Sequence, residues 1–335
     1  MYTYNTKLRI DLNILTKEVE NLAQIYLSLD PTTELRKSKS TTPFIQKIRC
    51  SFHRYNTLSK FLERLLSGEI PSTKLSDNSV IINLHAKAEG GSTRIYFKPS
   101  VTSLTKEVRK AILPLDSNNV FVYFDIKAAE FALRCLQAGD TEAFNVYTSG
   151  EDIYMHFAPL FPTNTPRKTI KTILIATMYG QTPYTCSKLL GISEAQAERL
   201  LSEVSHNTPK LESLKHSILE YDKQHNAYFT TNGFDVTSHI KVSDIDPKKG
   251  FNPNLAWSVY TQSALGLVMQ LFTQHFLKHQ QGKPGTFLSI FDSVIAEISP
   301  SSFNAYQAFV NKHFSPLLSD GMFLGNTMYQ AMYEH

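Results

Sequence analysis

Two aspartates stand where a carboxylate could bind a divalent metal ion. Asp125 follows the apolar run of residues 120–124 and precedes a helical pattern, a place where a sheet presents groups to a ligand. Asp292 lies between the apolar segments 288–291 and 294–298, a pattern typical of a hairpin turn. Each residue could instead serve local structure, Asp125 as a helix N-cap and Asp292 as a turn residue. Their immediate surroundings leave both interpretations open.

A third candidate is a row of four side chains at steps of four. Arg167, Lys171, Ile175 and Tyr179 recur inside a predicted helix that ends at Gly180. Each step advances by about 400°, so the four side chains follow one slowly drifting face about 18 Å long. Cations suit phosphate groups, and an apolar or flat wall suits a base. The row is thus suited to a nucleoside triphosphate, while a surface helix with two cations and a buried tyrosine is the alternative.

Helical and strand patterns alternate around these residues. The helical patterns cover residues 6–29, 43–66, 127–136, much of 141–224 and 254–277. Strand patterns cover residues 80–84, 94–97 and 120–124, and residues 286–298 read as a strand, tight turn and strand. Elements of both types are interleaved without internal repeats, which predicts an α+β fold.

The composition favours a globular intracellular protein. The chain has 335 residues, 42% of them hydrophobic, and no apolar run long enough to span a bilayer. Without a signal-peptide pattern we expect a cytoplasmic location, in the host cytoplasm for a viral protein, and no membrane partner. Cys50, Cys135 and Cys186 are too widely spaced for a zinc site or disulfide framework and are expected to be buried thiols.

Positive charge is concentrated in the first third of the chain. Lys and Arg outnumber Asp and Glu by 18 to 10 in residues 1–115, whereas the remainder has 16 against 20. A predicted helix over residues 43–66 carries basic side chains between apolar ones. This distribution is typical of a protein that grips a polyanion with one part and places metal ions with another.

In chain order, these pieces resemble the palm and fingers motifs of family A DNA polymerases, the group that includes bacterial DNA polymerase I. The resemblance covers about residues 85–335. The residues similar to motif A are Asp125, Glu130, Gly139 and Asp140, those similar to motif B are Arg167, Lys171, Tyr179 and Gly180, and Asp292 is similar to the motif C aspartate.

The sequence departs from the family pattern at several positions. Tyr154 stands where the family has His, and Ile175 where motif B has an aromatic residue. Phe291 and Ser293 replace the polar neighbours of the motif C aspartate, and Ala132 stands where motif A has Arg. We interpret these changes as divergence within a working site.

The resemblance implies a polymerase right hand, with an antiparallel palm sheet, helical fingers and a small helical thumb. The implied domains are a reduced helical thumb (1–84), a first part of the palm with motif A (85–140), fingers with motif B (141–240) and a second part of the palm with motif C (241–335). Only 124 residues precede Asp125, so a 3′–5′ proofreading exonuclease is not expected.

The resemblance also implies a chemistry. Asp125, Asp292 and the main chain of Ile126 would bind two Mg²⁺ ions, with Mn²⁺ as a substitute, and Lys171 would protonate the leaving group. Glu130 would act as a steric filter on the 2′ hydroxyl. The implied nucleotide-binding residues are Arg167, Lys171, Ile175, Tyr179, Glu130 and Tyr154, and the implied DNA-binding residues are Arg94, Gln262, Arg109 and His335.

The predicted function is therefore template-directed DNA synthesis, with primer-template DNA and dNTPs as partners. Whether a primase, helicase or clamp assists is left open. One alternative is a single-subunit phage-type RNA polymerase, which Ile175 and Ser293 favour and Glu130 disfavours. A catalytically silent nucleic-acid-binding replication protein is the other.

Overall fold

Helices and antiparallel strands alternate along the chain in this computed structural model. The structure describes residues 3–37, 42–88, 95–100, 106–231, 236–241, 250–279, 285–314 and 322–334. The strands are β1 (Thr3–Asp11), β2 (Ser72–Lys74), β3 (Ser79–Ala88), β4 (Ile95–Lys98), β5 (Ile112–Leu113), β6 (Val120–Asp125), β7 (Ala227–Thr231), β8 (Val236–Lys241), β9 (Phe287–Ile290), β10 (Ser293–Ile298) and β11 (Phe323–Gly325). The helices are α1 (Leu12–Leu27), α2 (Thr33–Lys37), α3 (Pro43–Leu66), α4 (Lys106–Lys110), α5 (Ala129–Gln137), α6 (Thr141–Thr148), α7 (Ile153–His156), α8 (Arg167–Met178), α9 (Pro183–Leu190), α10 (Glu194–His206), α11 (Pro209–His225), α12 (Pro253–His279), α13 (Phe303–Phe314) and α14 (Met328–Tyr333). The predicted α+β class is confirmed.

The N-terminal part is built on a sheet, which corrects the expectation of a helical unit with a strand only at residues 80–84. Its five antiparallel strands run in the order β2-β3-β1-β5, with β4 also paired to β3. Helices α1 and α3 pack on each other and share a hydrophobic core with this sheet. Residues 1–84 therefore combine helices with strands β1 and β2 and part of β3.

The predicted first helix was wrong over residues 6–11, which belong to β1. Along this strand Thr6, Leu8 and Ile10 are buried while the residues between them are more exposed, the period-two pattern of a half-buried strand. The helix begins only after Asp11, whose carboxylate accepts hydrogen bonds from the amides of residues 13 and 14 and so caps α1.

A second antiparallel sheet, in the order β11-β6-β10-β9, carries both candidate aspartates. Helix α12 packs on one face of it, where Phe272 and Phe276 lie 5.0 and 5.8 Å, centroid to centroid, from Phe124 of β6. Tyr306 of α13 also stacks on Phe276, at 4.9 Å. The apolar residues around Asp125 thus anchor β6 on a large aromatic core.

A buried carboxylate ties the second sheet to its flanking loop. Glu297 of β10 is only 2% exposed. Its Oε1 accepts hydrogen bonds from the amide of Asp116 at 2.9 Å and from Nδ2 of Asn119 at 3.0 Å, and its Oε2 accepts one from the amide of Thr286 at 3.0 Å. Three donors thus compensate the burial of this charge.

Helices α5 to α11 form a separate core together with Trp257 and Tyr260 from the start of α12. Local signals set their ends. Pro183 and Pro209 occupy the first turn of α9 and α11, where their missing amide hydrogens cost nothing, and Gly191 ends α9 in the left-handed conformation. These helices surround α8, the helix with the row of four.

Two further observations concern exposure. Cys135 and Cys186 are buried as expected, but Cys50 is exposed on α3, so that prediction was wrong for Cys50. None of the helices in the described ranges is long and apolar enough to cross a membrane.

Candidate active site

Strand pairing brings the two aspartates together. Asp125 is the last residue of β6, and Asp292 lies in the turn between β9 and β10. The antiparallel register of β6 and β10 places Asp125 opposite Ser293, and the amide of Ile126 donates a 2.9 Å hydrogen bond to the carbonyl oxygen of Asp292. Both aspartates are partly exposed. Residues that are 167 positions apart in the sequence are therefore neighbours in space.

The turn that carries Asp292 has an unusual backbone. Phe291 has a φ of +56°, in the left-handed region that a bulky residue rarely adopts, and the residue is 54% exposed. The hydroxyl of Ser293 closes the turn by donating to the carbonyl of Ile290 at 2.8 Å. This tight turn holds the Asp292 main chain against the end of β6.

The carboxylates repel each other electrostatically. Burial raises the pKa of Asp292, and the nearby charges of Asp125 and Glu130 raise it further, while its main-chain hydrogen bond and Lys171 lower it. A bound divalent cation would reverse this repulsion. The described ranges contain no group of three or more His, Cys, Asp or Glu side chains able to hold a metal, so any ion here must take its other ligands from main chain, water or substrate. Magnesium has that preference.

Helix α8 supplies two cations at the same place. Arg167, at its first turn, forms an ion pair with Asp152, the residue that caps α7. The cations of Arg167 and Lys171 each lie 5.4 Å from the centre of the Tyr154 ring, a cation–π distance. The ring is buried, and burial raises the pKa of its hydroxyl to about 12, so Tyr154 is neutral at physiological pH.

A cleft of about 360 Å³ opens over these groups. Among the residues that line it are Asp125, Lys127, Asp152, Tyr154, Arg167 and Lys171. Tyr123, Phe323 and Met332 also line it. Two carboxylates, three cations and several apolar or aromatic side chains thus surround a space of ligand size.

The row on α8 divides at its midpoint. Arg167 and Lys171 reach the cleft, whereas Ile175 and Tyr179 pack against the helical core. The hydroxyl of Tyr179 donates a 2.9 Å hydrogen bond to Oε1 of Glu130. Burial raises the pKa of Tyr179, and a hydrogen bond with the Gln262 side chain opposes that shift. Tyr179, Glu130 and Gln262 thus form one hydrogen-bonded group.

The predicted DNA-binding residues fall in different places. Gln262 is partly buried on α12. Arg109, on α4, donates to the hydroxyl of Tyr333 and, at 3.5 Å, to the sulfur of Met332, which lines the cleft. Arg94 and His335 lie outside the described residues.

Lys127 is a cleft residue that the sequence analysis missed. It lies two positions after Asp125 and lines the cleft. Its Nζ donates a 3.2 Å hydrogen bond to the carbonyl oxygen of Gly150, two residues before Asp152. The sequence shows a lysine close to Asp125, but whether its side chain points into the cleft depends on the path of the chain between β6 and α5.

Comparisons with known proteins give one family and one fold. The family model described as DNA polymerase family A matches residues 98–316, more than half of the chain. The structure is similar to the POL domain of Pol1 from M. smegmatis, solved in complex with DNA primer-template and dNTP, with a TM-score of 0.74 and 15% sequence identity. The similarity covers 97% of this chain and 68% of that one. No curated protein matches the chain.

Proposed function

Because this chain belongs to DNA polymerase family A and is a DNA-directed DNA polymerase, we propose that it adds dNTPs to a primer 3′ hydroxyl by a two-metal-ion mechanism. Primer-template DNA and dNTP, which the similar POL domain binds, are its proposed ligands. The observation that carries the mechanism is the pairing of β6 with β10, which sets Asp125 beside Asp292 next to a cleft that Arg167 and Lys171 line.

Asp125 and Asp292 are the proposed metal ligands, with the main chain of Ile126 as a third. The electrostatic repulsion of the two carboxylates and the position of Asp125 in the wall of the cleft fit Mg²⁺, for which Mn²⁺ would substitute. When bound, the two ions supply activation of the primer hydroxyl and charge neutralisation on the leaving pyrophosphate.

The cations of the cleft would hold the triphosphate. Arg167 offers a planar, bidentate donor, and Asp152 and Tyr154 keep it in place before the nucleotide arrives. Lys171 would contact the phosphates nearest the metal ligands and protonate the leaving pyrophosphate. Lys127 would add a third positive charge.

The remaining site residues would select the nucleotide and hold the DNA. Glu130 would exclude a 2′ hydroxyl, Tyr179 and Ile175 would lie on the base side, and Gln262 would contact the new base pair. Arg109, and also Arg94 and His335, would contact the DNA.

Helix α3 would contribute phosphate contacts from its basic outer side. Its apolar residues Ile48, Leu58 and Leu62 are buried. Lys47 and Lys60 are exposed and available to phosphate groups. The proposed domains keep the predicted boundaries, with residues 1–84 as thumb, 85–140 and 241–335 as palm and 141–240 as fingers.

We expect no proofreading from the described residues. The carboxylate of Asp140, which with Glu142 mimics part of an exonuclease motif, caps helix α6 by accepting a hydrogen bond from Ala143. A primer with a mismatched 3′ terminus checks this expectation. We expect the mismatched nucleotide to remain in place over the time in which a matched primer is extended.

Primer extension with and without Mg²⁺ tests the proposal. Asp125→Asn and Asp292→Asn should each lower incorporation by about 1,000-fold or more, since the metal supplies several kcal/mol of charge stabilisation. Glu151→Gln is the matched control, because this exposed acid lies beside the cleft without lining it. Primer-template binding, followed by fluorescence anisotropy, should be retained in all three variants.

Two results would contradict the proposal. Normal primer-template binding without Mg²⁺-dependent incorporation by the wild type would indicate a silent replication protein. A clear preference for rNTPs over dNTPs in parallel reactions would refute deoxynucleotide selection by Glu130.

A further inference from the structure

A fully buried arginine lies directly behind the candidate active site. Arg134 of α5 has 0% exposure, and none of its three side-chain nitrogens makes a hydrogen bond of regular geometry to the described residues. Burial lowers the pKa of its guanidinium, and the neighbouring Tyr179 and Glu130 oppose that shift. Burying a cation without hydrogen bonds is costly, so its neighbours must compensate.

Two aromatic rings supply that compensation. The guanidinium carbon lies 4.6 Å from the centre of the Tyr179 ring and 5.2 Å from that of Trp257. Both distances are within cation–π range, and the interaction is strengthened where water is absent. Arg134 is therefore fixed between one ring from the end of α8 and one ring from the start of α12.

The same arginine is linked to Glu130 in two ways. Glu130 lies four residues earlier on α5, and residues at this spacing are neighbours on one face of a helix. The hydroxyl of Tyr179 donates to Oε1 of Glu130 at 2.9 Å. One side of Tyr179 thus faces a cation, and its hydroxyl holds the carboxylate.

We propose that Arg134 is a positioning residue that sets sugar selectivity, by holding the Tyr179 ring in the place where its hydroxyl fixes the Glu130 carboxylate. The proposal rests on the proposed function, in which Glu130 excludes the 2′ hydroxyl. Without the cation, the Tyr179 ring loses the group it packs on and Glu130 loses a nearby positive charge. The carboxylate then becomes free to turn away, and space for a ribose hydroxyl opens.

The test compares discrimination between dCTP and CTP, expressed as the ratio of their kcat/KM values. Arg134→Met keeps an unbranched stem of similar size but removes the charge. We expect this ratio to fall by at least about 10-fold, which corresponds to about 1.4 kcal/mol, while kcat/KM for dCTP changes much less. Arg134→Lys, which restores the cation, should recover part of the ratio. Arg199→Met on the exposed side of α10 is the control and should leave the ratio unchanged.

Trp257 provides a second readout, since it is the single tryptophan of the chain and is buried against Arg134. With a primer that lacks the 3′ hydroxyl, dCTP binding should change Trp257 emission in the wild type, and Arg134→Met should reduce that change by at least about half. A purely structural role for Arg134 predicts lower stability and equal losses with both nucleotides.

The outcomes separate the two proposals. Incorporation of dCTP by the wild type with an unchanged ratio in Arg134→Met and Arg134→Lys would overturn the role of Arg134 alone. If Arg134→Met does not fold, Arg134→Gln, which also removes the charge, takes its place, and an unchanged ratio in that variant has the same meaning. A wild type that incorporates no dCTP would overturn the proposed function and this proposal with it.

Discussion

Substitution of Gly180 by alanine should impose two separable costs. Gly180 ends α8 directly after Tyr179 with a φ of +79°, a conformation that costs an alanine about 1–2 kcal/mol. A Cβ at this position would also collide with Oδ1 of Asn254, at the start of α12. Because that atom is the end of a flexible side chain, it can move, and we expect the contact to add only about 1 kcal/mol. The total expected loss is therefore about 2–3 kcal/mol.

Gly191 provides the matched control for the first cost. Its φ of +67° is similar, but a Cβ there would meet no atom within 4 Å. Gly191→Ala should therefore show the conformational cost alone. Adding Asn254→Ala to Gly180→Ala should return its loss to the level of Gly191→Ala, because the contact is removed and the strained φ remains.

Urea unfolding followed by Trp257 fluorescence measures these differences in the free energy of unfolding. Equal losses for Gly180→Ala and Gly191→Ala would refute the steric argument, and so would a double variant that recovers nothing. Since Tyr179 precedes Gly180, we also expect kcat/KM for dNTP to fall in Gly180→Ala and not in Gly191→Ala.

Three further predictions concern buried or charged side chains. Glu297→Leu leaves three hydrogen-bond donors without an acceptor and should lower the free energy of unfolding in urea by about 3 kcal/mol or more, whereas Glu297→Gln should lose less; equal losses would contradict the reasoning. Burial raises the pKa of Asp222 from 3.8 to about 7, so the folded state binds its proton more tightly than the unfolded state. Its contribution to stability should therefore decrease as pH rises from about 4 to 7, by up to about 1.4 kcal/mol per pH unit, and Asp222→Asn should flatten this dependence in urea unfolding over the same pH range. Lys127→Ala should raise KM for dNTP by about 10-fold in steady-state extension, whereas Lys168→Ala, an exposed lysine outside the cleft, should change it by less than about twofold.

Those parts of the site that depend on local pattern were predictable from the sequence. The apolar run before Asp125 forms β6, the segment around Asp292 forms a hairpin, and the steps of four from Arg167 onward form α8. Short-range periodicity fixes such elements because burial of one face follows directly from it. The α+β class and the polymerase family followed from their order.

The remaining features depend on contacts between distant segments. Strand β1 was missed because its alternating pattern runs straight into α1, and its pairing partner β3 lies about 70 residues further along the chain. Ile175 sits in the same row as Lys171, yet it packs into the helical core, since only the neighbouring helices decide which part of a row faces a cleft. The burial of Arg134 between two rings likewise requires the positions of α8 and α12.

The position of β6 in its sheet has a consequence for the order in which the chain can fold during synthesis. Both neighbours of this strand, β10 and β11, begin at least 168 residues after its last residue, so its two hydrogen-bonding edges stay unpaired until those distant segments have left the ribosome. Contacts of such long sequence separation form slowly, and an apolar strand with open edges is prone to pair with other chains. The segment around Asp125 thus benefits from protection by a chaperone while the chain grows, and the pairing of Asp125 with Asp292 is a late step in folding.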